Sequence, residues 1–206
     1  MIVGKYSSRI ALFSYFSIIE LMKKITICNG KGGAGKTTTT ILLGLALLEV
    51  GHQACVVDID PQKTASRWID DSGLPLLSQD ARATVLIDTP PRLDDARLKK
   101  AIIESDLVLV VTSPSPADLF TSQDTVRLIA SLKATEKSCL LFNQVQDGTI
   151  LSRGLEETAQ RIGLQPLKSV LTRRQCYQHA VLLGWSALPG KAKEEVLKVA
   201  LELVSW

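Results

Sequence analysis

The sequence contains few cysteines, and their spacing indicates neither a metal centre nor a disulfide framework. Its 206 residues include four cysteines, and none of them stands in a C-x-x-C pair or at another metal-ligand spacing. Cys28, Cys55 and Cys139 lie in apolar runs, where cysteine behaves as a small hydrophobic residue. We therefore expect reduced, buried thiols in a cytosolic protein.

Long apolar runs are also missing from the sequence. No apolar stretch reaches the length of about 20 residues that is needed to span a membrane. The run Ile10–Met22 is interrupted by Ser14, Ser17 and Glu20, and no clear small-residue cleavage site accompanies it, as a signal peptide would require. We interpret residues 1–22 as an N-terminal extension of uncertain structure, either loosely packed or a short amphipathic surface helix.

Charge of one sign is not in large excess. The formal net charge is +3, which does not identify a partner. Residues 150–206 hold eight Lys/Arg and five Asp/Glu, a mild basic bias that fits nucleic acid but also chance. Because linkers, internal repeats and low-complexity segments are absent too, we predict a single domain over residues 23–206.

From Lys23 onward, short apolar runs alternate with longer amphipathic ones. The short runs predict strands at Ile25–Asn29, Ala54–Asp58, Thr84–Asp88, Leu107–Thr112, Ser138–Gln144 and Leu167–Val170. The longer runs predict helices at Lys36–Val50, Leu93–Glu104, Leu119–Ala134 and Leu151–Ile162. Continuous apolar strands that alternate with helices are typical of an α/β fold. We predict a doubly wound, mainly parallel sheet with helices on both faces.

A phosphate-binding motif follows the first predicted strand. The segment Gly30-Lys-Gly-Gly-Ala-Gly-Lys-Thr37 fits the P-loop pattern G-x-x-x-x-G-K-[ST] and leads directly into a helix. Its backbone N–H groups and the helix N-terminus would face phosphate oxygens. Lys36 would reach the β- and γ-phosphates, and the Thr37 hydroxyl would bind Mg²⁺. The predicted nucleotide-binding residues of this loop are Gly32, Gly33, Ala34, Gly35, Lys36, Thr37 and Thr38.

Carboxylates follow the second and third predicted strands. The second strand ends in Asp58-Ile-Asp60, and the third ends in Asp88 after four residues, three of them apolar. Ligands of open α/β sheets bind at the carboxyl ends of strands, so these side chains should converge on the phosphates. Each aspartate alone could be a turn or helix-capping residue. Beside a P-loop, Asp88 is predicted to hold Mg²⁺ through water, as a Walker-B carboxylate does.

Several segments together resemble the ParA/MinD family of ATPases. Lys31-Gly-Gly-Ala-Gly-Lys-Thr-Thr38 is similar to the family's deviant Walker A box, which has an extra lysine at its start. Asp58-Ile-Asp-Pro-Gln62 and Ile87-Asp-Thr-Pro-Pro91 resemble its acidic motifs. Further similar segments are Thr112–Asp118, Leu141–Val145 and Thr172–Tyr177. The resemblance covers about residues 23–204.

The resemblance implies roles for individual residues. Lys31 would reach across an ATP-sandwich homodimer to the phosphates of the partner copy and neutralise charge there, as an arginine finger does. Asp60 would orient or activate the attacking water, with Asp58 nearer the metal. Asn143 would contact the adenine edge. The implied catalytic residues are Lys31, Lys36 and Asp60, and the implied metal ligands are Thr37, Asp58 and Asp88.

The sequence also narrows the choice within the family. Nitrogenase-reductase and iron–sulfur carrier branches need cluster-binding cysteines, and the related tyrosine kinases carry a C-terminal tyrosine cluster; neither feature is present. The C-terminal segment Lys191–Trp206 is amphipathic, as in membrane-bound MinD-like regulators. Its polar side, however, holds Glu194, Lys198 and Glu202, a mixed-charge ladder typical of a solvated face. We therefore predict that its apolar side packs in the core.

The implied function is that of a ParA-type partition or positioning ATPase. An ATP-dependent dimer would bind DNA non-specifically in the cytoplasm, on the nucleoid, and a ParB-like or cargo-adaptor protein would stimulate hydrolysis. The cargo could be a plasmid, a chromosome or a protein body. The candidate DNA-binding residues are Arg173, Arg174, Lys191 and Lys193, with Lys168 and Lys198 as further candidates. Because Arg173 and Arg174 lie far along the chain from the P-loop, we expect hydrolysis not to depend on them.

Two alternatives stay open at this point. The first is a membrane-associated, MinD-like regulator of the cell-division site. The second is a small-molecule ligase on the same fold, for which the sequence offers no recognisable substrate pocket. No helix-turn-helix motif precedes the P-loop, so binding to a specific operator is not expected.

Overall fold

Five parallel strands form the sheet in the computed structural model, which describes residues 23–76 and 83–206. The strands are β1 (Lys24–Cys28), β2 (Ala54–Asp58), β3 (Thr84–Asp88), β4 (Leu107–Thr112) and β5 (Ser138–Phe142). Their order across the sheet is β2-β3-β1-β4-β5, and every neighbouring pair is parallel. The predicted bounds of β2, β3 and β4 are confirmed. The prediction for residues 1–22 lies outside the described residues.

Eight α-helices connect the strands or follow them in the described part of the chain. They are α1 (Lys36–Glu49), α2 (Thr64–Ser72), α3 (Ala96–Glu104), α4 (Pro116–Ser131), α5 (Ile150–Arg153), α6 (Leu155–Ile162), α7 (Gln175–Leu183) and α8 (Gly190–Val204). Helix α4 begins earlier than predicted because Ser115 caps it and Pro116 occupies its first turn. The predicted helix Leu151–Ile162 is divided by Gly154 into α5 and α6.

The sheet has a hydrophobic core on each face. Along β4, Leu107, Leu109 and Val111 join one core, and Val108 and Val110 join the other. The first core also contains apolar side chains of α1, α2, α7 and α8, and the second contains those of α3, α4 and α6. Burial on both faces explains why the strands are continuous apolar runs. The prediction of a doubly wound α/β sheet is confirmed.

The predicted sixth strand, Leu167–Val170, is wrong. The chain runs beside β5 there, and the Leu167 amide donates to the Leu140 carbonyl at 2.8 Å. The next two amides, of Lys168 and Ser169, instead donate to the carboxylate of Glu202 in α8, at 2.6 and 2.9 Å. Because these donors are taken by a side chain, no continuous ladder with β5 forms.

The topology places the end of β1 at the functional edge of the sheet. β1 is the central strand, β3 and β2 lie to one side of it, and β4 and β5 lie to the other. The loop after β1 therefore lies where the strand order reverses. In open α/β sheets, ligands bind at this switch point, outside the carboxyl ends of the strands.

Candidate functional site

The loop between β1 and α1 has the backbone conformation of a phosphate cradle. Gly33 and Gly35 have φ angles of 80° and 95°, in the left-handed region that favours glycine. A Cβ atom at Gly35 would also lie 2.1 Å from Nδ2 of Asn143. Helix α1 begins directly after Gly35 without a side-chain cap from any described residue. Its first N–H groups are therefore available to an anion.

Lys36 provides a fixed cation within this loop. Its side chain is buried, with only 6% of the residue exposed, and its Nζ donates to the Lys31 carbonyl at 3.1 Å. Burial lowers the pKa of Lys36, and the nearby charge of Asp88 acts in the opposite direction. A buried ammonium beside free backbone N–H groups can neutralise phosphate charge at close range.

Asp88 and Thr37 meet directly beneath the loop. The Thr37 hydroxyl donates to Oδ2 of Asp88 at 2.8 Å, while Oδ1 is buried and has no hydrogen-bond partner among the described residues. Burial raises the pKa of Asp88 to about 6, although the hydrogen bond from Thr37 lowers it. Mg²⁺ prefers oxygen ligands and usually takes one or two carboxylates with substrate phosphates. The unsatisfied carboxylate oxygen and the hydroxyl therefore fit a Mg²⁺ site.

Asp58 lies opposite Asp88 in the β2–β3 register, but backbone groups occupy its carboxylate. Oδ1 accepts from the Asp60 amide and Oδ2 accepts from the Ser66 amide, both at 3.0 Å. Asp58 thus fixes the turn after β2 and the first turn of α2. The structure brings Asp58 next to the predicted metal ligands, with both oxygens already hydrogen-bonded.

Asp60 is half-exposed beside the loop. Its Oδ1 accepts from the Gln62 amide at 2.9 Å. Burial lowers the pKa of Lys36 and raises that of Asp88, and the negative charge of Asp60 adds a smaller upward contribution to each pKa, which places Asp60 within electrostatic reach of the phosphate cradle. Asp60 therefore carries a carboxylate at the same edge of the sheet as the loop, in a position that solvent can reach.

The end of β5 supports the loop through two amide side chains. Nδ2 of Asn143 donates to the Ala34 carbonyl at 3.1 Å, and its Oδ1 accepts from the Gln144 amide at 2.8 Å. Nε2 of Gln144 donates to the Gly33 carbonyl at 3.3 Å. Asn143 thus holds the loop, a role in addition to the adenine contact expected from the sequence. The part played by Gln144 was missed, because a glutamine after a strand gives no distinctive signal.

Lys31 is engaged within its own chain. Its ammonium forms an ion pair with Asp118, in the first turn of α4. Asp118 is 4% exposed and also accepts from the Ser113 hydroxyl at 2.7 Å. The segment that resembled the family after the fourth strand therefore provides the counter-ion for the extra lysine of the loop.

Two cavities flank the loop. One, of about 290 Å³, is lined by Gly35 and Asn143 among others, and a second, of about 320 Å³, is lined by Lys31 and Asp118 among others. Arg173 lines both, so it lies beside the P-loop although it is far from it along the chain, and this distance no longer supports the prediction that hydrolysis does not depend on Arg173. The isolated bridge between Val145 and Thr172 and its hydrogen bonds carry this distant segment back to the loop.

Comparison with known proteins agrees with this geometry. The family described as the CobQ/CobB/MinD/ParA nucleotide binding domain matches residues 25–184. The chain belongs to this family. Membership confirms the family predicted from the loop and the acidic motifs, and it confirms nucleotide binding as the family's common property.

Individual relatives of this ParA/MinD-family chain match it over most of its length. The "Maintenance of carboxysome distribution protein A" of Halothiobacillus neapolitanus is 30% identical, and the match covers 87% of this chain and 95% of that protein. A MinC:MinD cell division protein complex of Aquifex aeolicus has a TM-score of 0.71 at 16% identity, and the match covers 89% of this chain and 96% of that chain. A putative plasmid partition protein of Borrelia burgdorferi, bound to AMPPNP, has a TM-score of 0.70 at 17% identity, and the match covers 89% of this chain and 98% of that chain.

The predicted DNA-binding residues of this family member do not form one patch of free cations. Arg174 pairs with Glu195 at 2.6 Å, and its side chain is 25% exposed. Nζ of Lys193 lies 5.8 Å from the ring centroid of Trp185, and Lys198 pairs with Glu194 at 2.7 Å. Lys168, Arg173 and Lys191 are exposed and make no ion pair within the described residues. We therefore remove Arg174 from the DNA-binding candidates, because its guanidinium is used inside the protein.

The apolar side of the C-terminal segment packs in the core, as predicted. In α8, Val196, Val199 and Ala200 are buried, and they belong to the core that covers one face of the sheet. Within residues 23–76 and 83–206, no helix combines the length and apolar character that crossing a membrane requires. The Glu194–Lys198 pair forms on the outer side. The hydrophobic side of α8 is thus not available to a membrane surface in this structure.

Proposed function

We propose that this chain is a ParA-type positioning ATPase, with residues 23–206 acting as one ATPase domain that binds ATP and Mg²⁺ and hydrolyses ATP. The observation that carries the proposal is the unsatisfied buried oxygen of Asp88 beneath a P-loop that already holds Lys36 and Thr37 in place. The 30% identity with a carboxysome distribution protein, over nearly its whole length, supports the positioning role. The fold alone does not separate the subfamilies, because MinD and a partition protein match it equally well.

The loop binds the triphosphate in this proposal. Backbone groups of residues 32–38 surround the phosphates, and the ammonium of Lys36 neutralises the β- and γ-phosphoryl oxygens. Thr37 and Asp88 would hold Mg²⁺, and the ion would supply positive charge to stabilise the charge that develops on the phosphates. Asp58 positions the turn that carries Asp60 through its backbone hydrogen bonds, and each of its oxygens keeps a lone pair with which it can serve the nearby metal.

Hydrolysis is completed by two further side chains. Asp60, which solvent reaches, orients the attacking water. Lys31 acts across a homodimer that forms with ATP, where it neutralises charge on the γ-phosphoryl group of the partner copy. To do so, Lys31 leaves its ion pair with Asp118. A monomer therefore lacks one of the cations that the transition state needs, which links hydrolysis to assembly.

The dimer acts on the nucleoid in the cytoplasm. Arg173, Lys168 and Lys191 contact DNA phosphates without reading sequence, and Lys193 lies near Lys191 in the first turns of α8. A ParB-like or cargo-adaptor protein then stimulates hydrolysis and releases the dimer from DNA. Similarity to the carboxysome distribution protein favours a protein body as the cargo over a plasmid or chromosome.

A direct test compares DNA with membrane as the surface that is bound. We expect the wild-type protein to shift random-sequence duplex DNA only with ATP and Mg²⁺, and to do so less as salt rises, because phosphate contacts release counterions. Lys36→Ala should abolish both ATP binding and the DNA shift. Arg173→Ala and Lys191→Ala should each flatten the salt dependence by roughly one unit of log–log slope.

The matched control is Lys100→Ala, which removes an exposed lysine from α3 on the opposite face of the sheet and should leave DNA binding unchanged. Sedimentation with anionic liposomes provides the other arm of the test. ATP-dependent binding to liposomes but not to DNA would overturn the partition function and favour a MinD-like membrane regulator. Unchanged ATP affinity in Lys36→Ala would overturn the assignment of the P-loop.

A further inference from the structure

A cavity beside the P-loop, called the nucleoside cavity below, lies where the nucleoside part of a nucleotide would extend from the phosphate cradle. It measures about 290 Å³ and contacts Gly35 and Thr38, where the phosphate cradle continues into α1. The opposite wall comes from the segment that enters α7, and Arg174, Gln175 and Gln178 line it. A guanidinium and two carboxamides provide both hydrogen-bond donors and acceptors, which suits recognition of a base edge.

The part of this wall that precedes α7, residues 171–174, belongs to no strand or helix, whereas Gln175 and Gln178 lie in the first turn of α7. The backbone of this part meets the end of β5 at a few points only, where the Leu171 amide donates to Phe142 at 3.0 Å and the Arg173 amide donates to Val145 at 2.9 Å. Arg174, which also lines the cavity, lies just beyond these contacts and just before α7. Its position therefore depends on what holds the segment from its other side.

Glu195 of α8 holds the wall from that side. Its carboxylate accepts hydrogen bonds from the Thr172 hydroxyl at 2.8 Å, the Thr172 amide at 3.3 Å and the Tyr177 hydroxyl at 2.7 Å. Two nitrogens of Arg174 donate to it as well, Nε at 3.2 Å and a terminal nitrogen at 2.6 Å. The Glu195 side chain is only 15% exposed, so water competes little for these contacts.

We propose that Glu195 is a positioning residue for base recognition: through Thr172, Arg174 and Tyr177 it fixes the wall of the nucleoside cavity, and so sets the affinity for adenine over guanine nucleotides. The proposal rests on the proposed function as an ATPase. Arg174 keeps N–H donors that Glu195 does not use, because a guanidinium has five. Without Glu195, the segment loses five hydrogen bonds to one group, and its side chains can no longer present one fixed arrangement to the base.

The test distinguishes binding of the base from binding of the phosphates. Calorimetry with Mg²⁺ measures binding of ATP, GTP and inorganic tripolyphosphate to the wild-type chain and to Glu195→Gln. We expect Glu195→Gln to weaken ATP binding by about tenfold, the equivalent of one to two hydrogen bonds. Its preference for ATP over GTP should narrow, and tripolyphosphate should bind as to the wild type. Arg174→Ala should show the same loss, and the double variant should lose little more, because both act through one contact.

The matched control is Glu194→Gln, which removes the neighbouring carboxylate of the same helix from an exposed pair with Lys198 and should change none of the three affinities. Thr172→Val removes a single hydroxyl donor to Glu195 and should give a smaller loss in the same direction, which keeps the test valid if Glu195→Gln does not fold. Equal ATP affinity in Glu195→Gln and wild type, or equal losses for ATP and tripolyphosphate, would overturn the positioning role. A wild-type chain that binds neither ATP nor tripolyphosphate would instead overturn the proposed function itself.

Discussion

Asp88 is a residue whose carboxylate is incompletely hydrogen-bonded within the described part of the chain, and this makes it suited to bind a ligand. Among the described residues, its buried Oδ1 has no hydrogen-bond partner, and its Oδ2 accepts a hydrogen bond from Thr37. Burying a charged group with incomplete partners destabilises a fold. A divalent cation at this oxygen would offset that cost. The residue that binds the metal is therefore expected to reduce the stability of the nucleotide-free protein.

Replacement of Asp88 by Asn should separate stability from binding. We expect Asp88→Asn to raise the free energy of unfolding of the nucleotide-free protein at pH 7.5 by about 1–3 kcal/mol, because it removes an incompletely satisfied buried charge. ATP binding that depends on Mg²⁺ should weaken. Urea denaturation and nucleotide titration measure the two effects.

Asp94→Asn is the control for this variant, since the Asp94 side chain is 71% exposed and pairs with the equally exposed Arg92. It should change the stability by less than about 0.5 kcal/mol and leave binding unaltered. A destabilised Asp88→Asn protein, or one that retains Mg²⁺-dependent ATP binding, would contradict the assignment of Asp88 as a metal ligand.

Secondary-structure elements show which parts of the fold the sequence can reveal. Strands β2, β3 and β4 were predicted with their observed bounds, because a strand covered on both faces is a continuous apolar run between polar ends. Helix α2 was missed because only Ala65 and Ile69 are buried along it, too few to show a helical period. The false strand at Leu167–Val170 has apolar residues at its two ends, but its two middle amides bind Glu202, and no local sequence pattern shows that Glu202 lies beside them.

The sequence likewise reveals some features of the candidate site and leaves others hidden. The loop and its acidic motifs were recognisable because each is a local pattern with a chemical reason for its spacing. The partners of Arg174 and Lys31 were not, since Glu195 and Asp118 lie 21 and 87 positions away in the sequence. A basic residue in a sequence gives no sign of whether it is free or paired, which is why Arg174 was assigned to DNA.

The contact between α8 and the nucleoside cavity should depend on pH. Burial raises the pKa of Glu195, but hydrogen bonds from Arg174, Tyr177 and Thr172 outweigh it and hold the pKa at about 2. The unfolded chain has a glutamate pKa of about 4.3, so the folded value is depressed. The stability that Glu195 contributes is therefore present above about pH 4.3 and is lost as the pH falls towards 2.

We expect Glu195→Gln to lower the free energy of unfolding by about 2 kcal/mol at pH 7, since it removes charge-assisted hydrogen bonds. The difference in the free energy of unfolding between Glu195→Gln and the wild type should stay constant between about pH 8 and 5 and shrink below about pH 4.3. Urea denaturation at a series of pH values measures it, and Glu194→Gln serves as the control. A difference that does not shrink in acid would show that the charge of Glu195 does not stabilise the fold.

At the scale of the whole molecule, the two lysines of the loop have different surroundings. Lys36 is buried and bonded to the loop backbone, so it is in place before any partner arrives. Lys31 has a side chain that is 39% exposed and paired with Asp118, so it can exchange that partner for a phosphate of a second copy. One lysine thus suits binding within the monomer, and the other suits a step that occurs only after dimerisation.

If Asp60 orients the attacking water, its loss should uncouple assembly from hydrolysis. We expect Asp60→Ala and Asp60→Asn to bind ATP and dimerise like the wild type but to hydrolyse ATP at least about 100-fold more slowly, which would leave the dimer trapped on DNA. Asparagine can still accept the hydrogen bond that Oδ1 receives from the Gln62 amide, so agreement between the two variants separates lost chemistry from a disturbed turn. Light scattering after size exclusion measures the dimer, phosphate release measures hydrolysis, and Asp71→Ala, at an exposed position of α2, is the matched control. A variant that stays monomeric with ATP, or that hydrolyses at the wild-type rate, would show that Asp60 does not orient the water.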